Sequence, residues 1–429
     1  MNEKEGYKVY DLLNAYLENG LRVILHKIPN VSTVSCGLWI RQGSCYETDS
    51  NNGLSHLAEH LLLNPDDTEN AVYKDILNQI ISEGVYYNAL TTKEYTCYHF
   101  TGLKRSLQYC LQALFHIGVN NRAINAEAFD KEKQVVIQEA KGFYSSFQQI
   151  KERTSQALWG NTGVGKIIMG DLAVVGSATI EQVSELIDSA YVPDNSLLVV
   201  VGDIDYEEEK KKIEDIFGKW QFDTSDLPQE IVNEEPSLFI NNSNSQRSVF
   251  SIGFRAPAYS ESNRSAAEMM MRIIGQSGMH SRMIKELRIK HGLSYNLGSF
   301  GSFYKKRGTI GFTVTCDNER TIEAAKLLIE VLQNAKENGL TEEEIEREKK
   351  MMETALILSV DSINEHLRHV GMSAMIGQDF YIENELKNIR RITKAKIDKV
   401  TDMLLQNESM GVAAIGCFDV DKLLAATTM

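Results

Sequence analysis

The sequence has no apolar run close to the ~20 residues that a membrane-spanning helix requires. It also lacks any C-x-x-C pair, because its six cysteines are scattered along the chain, and reduced thiols are the natural interpretation. An excess of basic charge is absent, since the net charge is −14, so little would neutralise the phosphates of a nucleic acid. Residues 1–6 are neither a secretory signal nor an Arg-rich transit segment. We therefore expect a cytoplasmic protein that binds neither membranes nor nucleic acids.

A short stretch, Leu54–Leu63, combines good helix formers with two histidines and a glutamate. Residues three and four positions apart share one face of a helix, so His56, Glu59 and His60 point the same way. Two imidazoles one turn apart can share a metal ion, preferably zinc, and the carboxylate beside them can take a proton from water. This H-x-x-E-H spacing reverses the commoner H-E-x-x-H zinc signature. Two surface histidines on an amphipathic helix are the alternative interpretation.

Around this stretch, patterns typical of strands alternate with patterns typical of helices. In the first half, strands are predicted over 21–25, 34–40, 85–90, 95–101 and 196–201, and helices over 54–63, 71–81, 103–117, 126–144 and 180–190. A segment rich in acidic residues, with two prolines, follows at 221–236. We predict a first domain over 1–222, a linker over 223–236 and a second domain over 237–429.

The second half of the chain repeats the first at a nearly constant spacing. Gly37 and Gly253, each within a predicted strand, lie 216 positions apart, and so do the acidic helix segments that begin at Glu127 and Glu343. The glycines that follow the last strand of each half lie 214 positions apart. Self-similarity of this kind implies one supersecondary plan used twice. Strands mixed with helices favour an α+β fold, with a helix-covered sheet in each half.

The repeat does not extend to the metal motif. At the spacing of 216, motif positions 56, 59 and 60 correspond to Arg272, Gly275 and Gln276. A zinc site with two histidines needs a further ligand, and the helix over 126–144 offers Glu132 and Glu139, two turns apart on one face. In the second half Glu132 keeps an acidic counterpart, whereas Glu139 is replaced by alanine. Because the second half lacks the equivalents of both histidines and of Glu139, Glu139 is the expected third ligand.

These residues resemble the M16 family of zinc metallopeptidases, which includes pitrilysin, the insulin-degrading enzymes and the mitochondrial processing peptidases. The resemblance covers essentially the whole chain. It is to a small bacterial member of the M16B type, whose single chain corresponds to one half of a pitrilysin-type enzyme. It implies a LuxS/M16-metallohydrolase-like fold: α+β, with two homologous domains, each a mostly antiparallel sheet covered by helices on one face. It also implies one Zn²⁺ per chain, bound by His56, His60 and Glu139, with Glu59 as the base. Glu132 would orient the site from outside the ligand set.

Two further segments resemble motifs with which this family binds its substrates. Residues 87–98 look like the edge strand beside the zinc, so Tyr87, Asn88 and Ala89 are expected to bind a peptide by strand addition. Arg288 and Tyr295 match the R-x-x-x-G-L-x-Y pattern, and the resemblance implies that they bind the substrate backbone and stabilise the oxyanion. The sequence departs from the family after the second histidine, over 61–67, and again over 159–165. These departures concern the shape of the substrate cleft.

The expected activity is a zinc-dependent endopeptidase that hydrolyses short or unfolded peptides, and both general degradation and leader removal fit. A chain of this length carries the zinc motif in its first half and the Arg288/Tyr295 motif in its second half. The resemblance therefore implies that two chains close a shared chamber. A homodimer is the simplest arrangement, and a heterodimer with a related chain is the alternative. A non-catalytic peptide-binding subunit and a regulatory partner of a second protease remain as other functions. His366 and His369 have no nearby acid pair, so we expect them to be solvated or capping residues.

Overall fold

The computed structural model describes residues 12–63, 70–120, 124–220 and 236–429. Most of the predicted linker and residues 64–67 of one departure from the family pattern lie outside these ranges. The strands and helices that precede residue 221 are β1 (Leu12–Tyr16), β2 (Arg22–Lys27), β3 (Thr33–Ile40), α1 (Leu54–Leu63), α2 (Ala71–Ser82), β4 (Tyr86–Thr91), β5 (Thr96–Leu103), α3 (Leu107–Phe115), α4 (Ala126–Ser145), α5 (Ile150–Trp159), α6 (Leu172–Ser177), α7 (Ile180–Ala190), β6 (Ser196–Gly202) and α8 (Tyr206–Phe217).

The second part of the chain supplies a similar set of elements and one π-helical segment, Ile284–Lys290. Its strands and helices are β7 (Leu238–Asn242), β8 (Arg247–Ala256), α9 (Arg264–Gly275), β9 (Asn296–Phe303), β10 (Gly308–Asp317), α10 (Thr321–Asn338), α11 (Glu342–Asp361), α12 (Ile363–Met375), α13 (Ile382–Arg390), α14 (Lys394–Leu404), β11 (Met410–Gly416) and α15 (Val420–Ala426). No helix in the described ranges has the length and apolar content that a membrane crossing demands.

Two compact units contain one β-sheet each, and their strand orders confirm the predicted α+β fold with two related domains. In the described residues the first sheet has the order β1-β2-β6-β3-β5-β4 and the second the order β7-β11-β8-β10-β9. Apart from β1, each described strand has a counterpart, and the only parallel pairs among the described strands, β2 with β6 and β7 with β11, correspond to each other. Helices α4 and α11 are both 20 residues long and begin 216 positions apart. The spacing read from the sequence therefore reflects a structural repeat.

The sheet of the first unit has helices on both faces. Strand β6 is buried along its whole length, as its continuous apolar sequence requires. The larger core lies between the sheet and helices that include α1, α2, α3, α7 and α8. Helix α12 covers the other face, where Gly371 approaches Trp39 so closely that a Cβ at Gly371 would lie 2.2 Å from the indole ring. Helix α12 therefore covers a second face of this sheet, whereas the prediction placed helices on one face only.

The second unit has the corresponding arrangement, with α5 on the outer face of its sheet. A Cβ at Gly253 of β8 would lie 2.4 Å from the Thr154 side chain of α5, so only glycine allows this approach. Each sheet is thus covered by a helix from the other half of the sequence. The units consequently differ from the predicted halves, because 142–167 belongs to the second unit and 358–383 to the first.

A pair of buried histidines lies in the first unit, between β2 and α12. The ring centroids of His26 and His366 are 4.6 Å apart, and both side chains are buried. His366 is therefore not solvated, but its Nδ1 lies 3.2 Å from the carbonyl oxygen of Val360 near the end of α11, which fits the alternative expectation of a capping residue. Burial lowers the pKa of His26 to about 3, with a further contribution from His366. Burial also lowers the pKa of His366 to about 4. The fold therefore requires both imidazoles to be neutral.

We expect the first unit to lose stability as the pH falls below ~6.5, the ordinary pKa of histidine. Below that pH the unfolded chain binds protons that the folded unit excludes, so the loss continues down to the folded-state pKa values. Replacing His26 by glutamine, which does not ionise, should reduce the fall in unfolding free energy between pH 6.5 and 5 by about 2 kcal/mol. Urea unfolding curves at the two pH values measure this difference. The exposed His280→Gln serves as control, and an unchanged fall in His26→Gln would contradict the assignment.

Candidate metal centre

Helix α1 is fixed at its N-terminus by a buried carboxylate that the sequence analysis missed. Glu47 accepts hydrogen bonds from the backbone N–H groups of Gly53 and Ser55, at 2.9 and 2.8 Å, and from the side-chain amide of Asn52, at 2.9 Å. These contacts satisfy N–H groups that a helix start leaves without intrahelical partners, and a negative charge there is favourable for the helix dipole. The start of α1, and with it the position of the motif histidines, is thereby set.

The side chains of His56 and His60 on α1 and of Glu139 on α4 converge. Oε2 of Glu139 lies 3.7 Å from Nε2 of His56 and 3.5 Å from Nε2 of His60. Ligand atoms bound tetrahedrally to zinc at about 2.0–2.1 Å would be about 3.3–3.4 Å apart, so small adjustments would bring all three to one ion. No other group of three His, Cys, Asp or Glu side chains this close occurs in the part of the chain that the structure describes.

Glu132 supports the orientation of His60. Its carboxylate Oε2 accepts a hydrogen bond from Nδ1 of His60 at 3.1 Å, which leaves Nε2 as the free lone pair directed towards Glu139. Nδ1 of His56, by contrast, has no hydrogen-bond partner among the described residues. Among the described residues, therefore, only His60 has its Nδ1 hydrogen-bonded to a carboxylate.

The donor set fits a catalytic zinc ion. Burial lowers the pKa of His56 to about 3, and the nearby His60 adds to this effect, so His56 is in the neutral form that metal binding needs. Two histidines and one carboxylate are a ligand set of catalytic zinc sites, which keep a fourth position open. The Glu139 side chain is 46% exposed, so the group is accessible to water and to a substrate.

Glu59, between the two histidines in sequence, is held by the end of strand β4. The hydroxyl of Thr91 donates a hydrogen bond to Oε2 of Glu59 at 2.6 Å. Burial raises the pKa of Glu59, and the bond from Thr91 opposes that increase. A raised pKa makes a carboxylate a stronger base, which favours its use in proton transfer from water.

The predicted substrate strand forms an edge of the first sheet. Strand β4 pairs with β5 on one side, and no described strand pairs with its other side. Of the three predicted substrate-binding residues, Ala89 is buried, Tyr87 stacks against Phe100 and only Asn88 is exposed. The backbone of β4, rather than these side chains, is therefore the part that could bind a peptide by strand addition.

The two remaining predicted site residues lie together in the second unit. The guanidinium carbon of Arg288 is 4.3 Å from the centroid of the Tyr295 ring, and the Tyr295 side chain is 80% exposed. Tyr295 immediately precedes β9, the edge strand that corresponds to β4. An exposed phenol beside a guanidinium provides hydrogen-bond donors suited to a peptide carbonyl or an oxyanion.

The second unit contains an ion pair at the positions equivalent to the metal group. Arg272, the counterpart of His56, donates from Nε to Oε1 of Glu348 at 2.5 Å, and the hydroxyl of Ser277 donates to the other oxygen of Glu348. Glu348 is the counterpart of Glu132 and is fully buried. The sequence showed that the metal ligands are absent here but did not predict that a guanidinium would pair with the retained glutamate.

The repeated sheet and the group of two histidines and one glutamate fit the resemblance to peptidase family M16. The family model described as "Insulinase (Peptidase family M16)" matches residues 22–172, and "Peptidase M16 inactive domain" matches residues 177–352. The chain belongs to peptidase family M16, as a member of single-half size.

Similar proteins support this assignment over nearly the full length. An uncharacterized zinc protease of Mycobacterium leprae is 26% identical, over 98% of this chain and 95% of that protein. The uncharacterized zinc protease YmxG of Bacillus subtilis is 24% identical, over 91% of this chain and 95% of that protein. The solved structure of a protease from Helicobacter pylori shares the fold, with a TM-score of 0.88, 16% identity and coverage of 95% of this chain and 100% of that chain.

Proposed function

We propose that this chain is a zinc-dependent endopeptidase that cleaves short or unfolded peptides, with one zinc ion per chain. The observation that carries the proposal is the convergence of His56, His60 and Glu139 beside Glu59, which has a raised pKa and lies half-buried next to an edge strand. The six scattered cysteines are compatible with a reducing compartment, so the proposal places the activity in the cytoplasm.

Each step of the proposed reaction depends on particular residues of the chain. A zinc ion bound by the three ligands would polarise the peptide carbonyl and lower the pKa of a water molecule. Glu59 would accept a proton from the attacking water and deliver it to the leaving amine. The outer backbone of β4 would hold the peptide as an added strand, with little demand on its sequence. Arg288 and Tyr295 would bind the peptide backbone and stabilise the oxyanion.

Peptide cleavage by the purified protein tests this function. Zinc content is measured by metal analysis, and a library of unstructured peptides is incubated with the protein before the products are identified by mass spectrometry. We expect one zinc ion per chain and internal cleavage that chelation abolishes. A zinc-loaded protein that binds peptides but leaves them intact would contradict the proposal and favour a non-catalytic subunit. The cleavage sites would also distinguish degradation from removal of a leader segment.

We further propose that two chains form a homodimer with a closed chamber, in which each zinc site is served by Arg288 and Tyr295 of the partner chain. This follows from family resemblance and from the presence of both halves once in each chain. His60→Ala and Tyr295→Phe should each be inactive alone, and mixing them should restore about a quarter to a half of wild-type activity, since hybrid dimers retain one complete site. Mixtures that stay inactive, although dimers exchange subunits, would contradict shared sites. Activity that depends on adding a different M16 chain would indicate a heterodimer.

A further inference from the structure

We propose that Thr91 is a positioning residue, whose hydroxyl holds the Glu59 carboxylate in its reactive orientation. This inference rests on the proposed peptidase function. Thr91 is the last residue of β4, and the same strand would receive the peptide on its outer side. One residue would thus connect the strand that binds the substrate to the carboxylate that transfers the proton.

The hydrogen bonds around Thr91 show which group accepts the proton of its hydroxyl. A hydroxyl group has one proton to donate. Thr96, directly opposite Thr91 on β5, donates its proton to the backbone carbonyl of Gln42 at 2.9 Å. The oxygens of Thr91 and Thr96 are 3.5 Å apart, well beyond the usual O–H···O distance of about 2.7–2.8 Å. The Thr91 proton is therefore available to Glu59.

The contact between Thr91 and Glu59 has the length of a charge-assisted hydrogen bond. The two oxygens are 2.6 Å apart, and bonds from a hydroxyl to a carboxylate typically measure about 2.5–2.7 Å. The carboxylate is consequently held by the side chain of a residue at the end of β4.

The cross-strand partner of Thr91 is itself held in place. The side chain of Thr96 is buried, and its hydroxyl donates to the backbone carbonyl of Gln42. Because Thr91 lies directly opposite Thr96 in the sheet, this anchored neighbour helps to hold Thr91 in position.

The experiment compares Thr91→Val, which keeps the shape but removes the hydroxyl, with Thr91→Ser, which keeps the hydroxyl. We expect kcat to fall about tenfold or more in Thr91→Val, part of the roughly 10²–10⁴-fold contribution of a catalytic base. KM and zinc content should remain unchanged, because neither the outer backbone of β4 nor the ligands are altered. Thr91→Ser should recover most of the lost kcat, and the exposed Thr33→Val is the matched control.

A second measurement is independent of turnover. Crystal structures of metal-free wild type and Thr91→Val should show the Glu59 carboxylate displaced from its wild-type position only in the variant. An unchanged kcat and an unchanged Glu59 position in Thr91→Val would overturn the inference while leaving the peptidase function intact. Equal losses of kcat and stability in the valine and serine variants would overturn it in favour of a packing role. An inactive wild-type protein would instead contradict the proposed function.

Discussion

Glu59→Gln should retain its zinc and lose about 10²–10⁴-fold in kcat, the usual contribution of general acid–base catalysis. Glutamine has nearly the same shape and can still accept the hydrogen bond from Thr91, but its amide cannot take a proton from water. Metal binding should persist, because the carboxylate of Glu59 is not part of the group formed by His56, His60 and Glu139. Steady-state cleavage of a quenched peptide, combined with metal analysis of the same samples, measures both quantities.

The matched control is Glu185→Gln, which removes an exposed carboxylate from α7 in the same unit. It should leave kcat and zinc content at wild-type values. Wild-type turnover by Glu59→Gln would remove Glu59 from the proposed mechanism. A loss of zinc from this variant would show instead that Glu59 supports metal binding.

His60→Ala should lose zinc and all activity that depends on it. The substitution removes one of three ligand atoms and also leaves the buried carboxylate of Glu132 without its imidazole partner. Glu132→Gln, which keeps the ligands but weakens the bond to His60, should reduce zinc affinity by about 10–100-fold. The loss in His60→Ala should exceed that value. Titration with a competing chelator measures all three affinities on one scale.

The exposed His280→Gln in the second unit is the control for histidine replacement, and its zinc affinity should equal that of the wild type. Wild-type zinc affinity in His60→Ala would contradict the assignment of this ligand. An affinity in Glu132→Gln as low as that in His60→Ala would mean that Glu132 itself contacts the metal.

The positions of several helices and the side chains that converge at the candidate metal centre could be predicted from spacing in the sequence. His56 and His60 are one turn apart, so any helix through them places both on one face. Glu139 could be selected as the third ligand because the second half keeps a glutamate at the position equivalent to Glu132 but has an alanine at the position equivalent to Glu139. The predicted helix over 180–190 matches α7 at both ends, since its apolar residues follow the helical period.

The exchange of helices between the two halves of the sequence could not be predicted from the sequence. Periodicity shows that α5 and α12 have apolar faces, but it does not show which sheet each face contacts. The deciding contacts are long-range, such as that of Gly371 with Trp39, which lie 332 positions apart. For the same reason the buried pair of His26 and His366 was missed, since histidines on separate elements carry no signal of their proximity.

Parts of the site also depend on long-range contacts. Thr91 belongs to a recognisable edge-strand motif, yet its bond to Glu59 depends on how β4 packs against α1. Glu47 precedes the first residue of α1 by seven positions, beyond the spacing of ordinary capping residues, so its role at the helix start carried no local signal.

Anomalous diffraction at the zinc absorption edge, from crystals of the zinc-loaded protein, tests the central claim most directly. We predict a single peak in each chain, at about 2.0–2.2 Å from Nε2 of His56, Nε2 of His60 and a carboxylate oxygen of Glu139. A peak at other side chains, or a zinc ion that contacts the histidines while Glu139 points away, would contradict it.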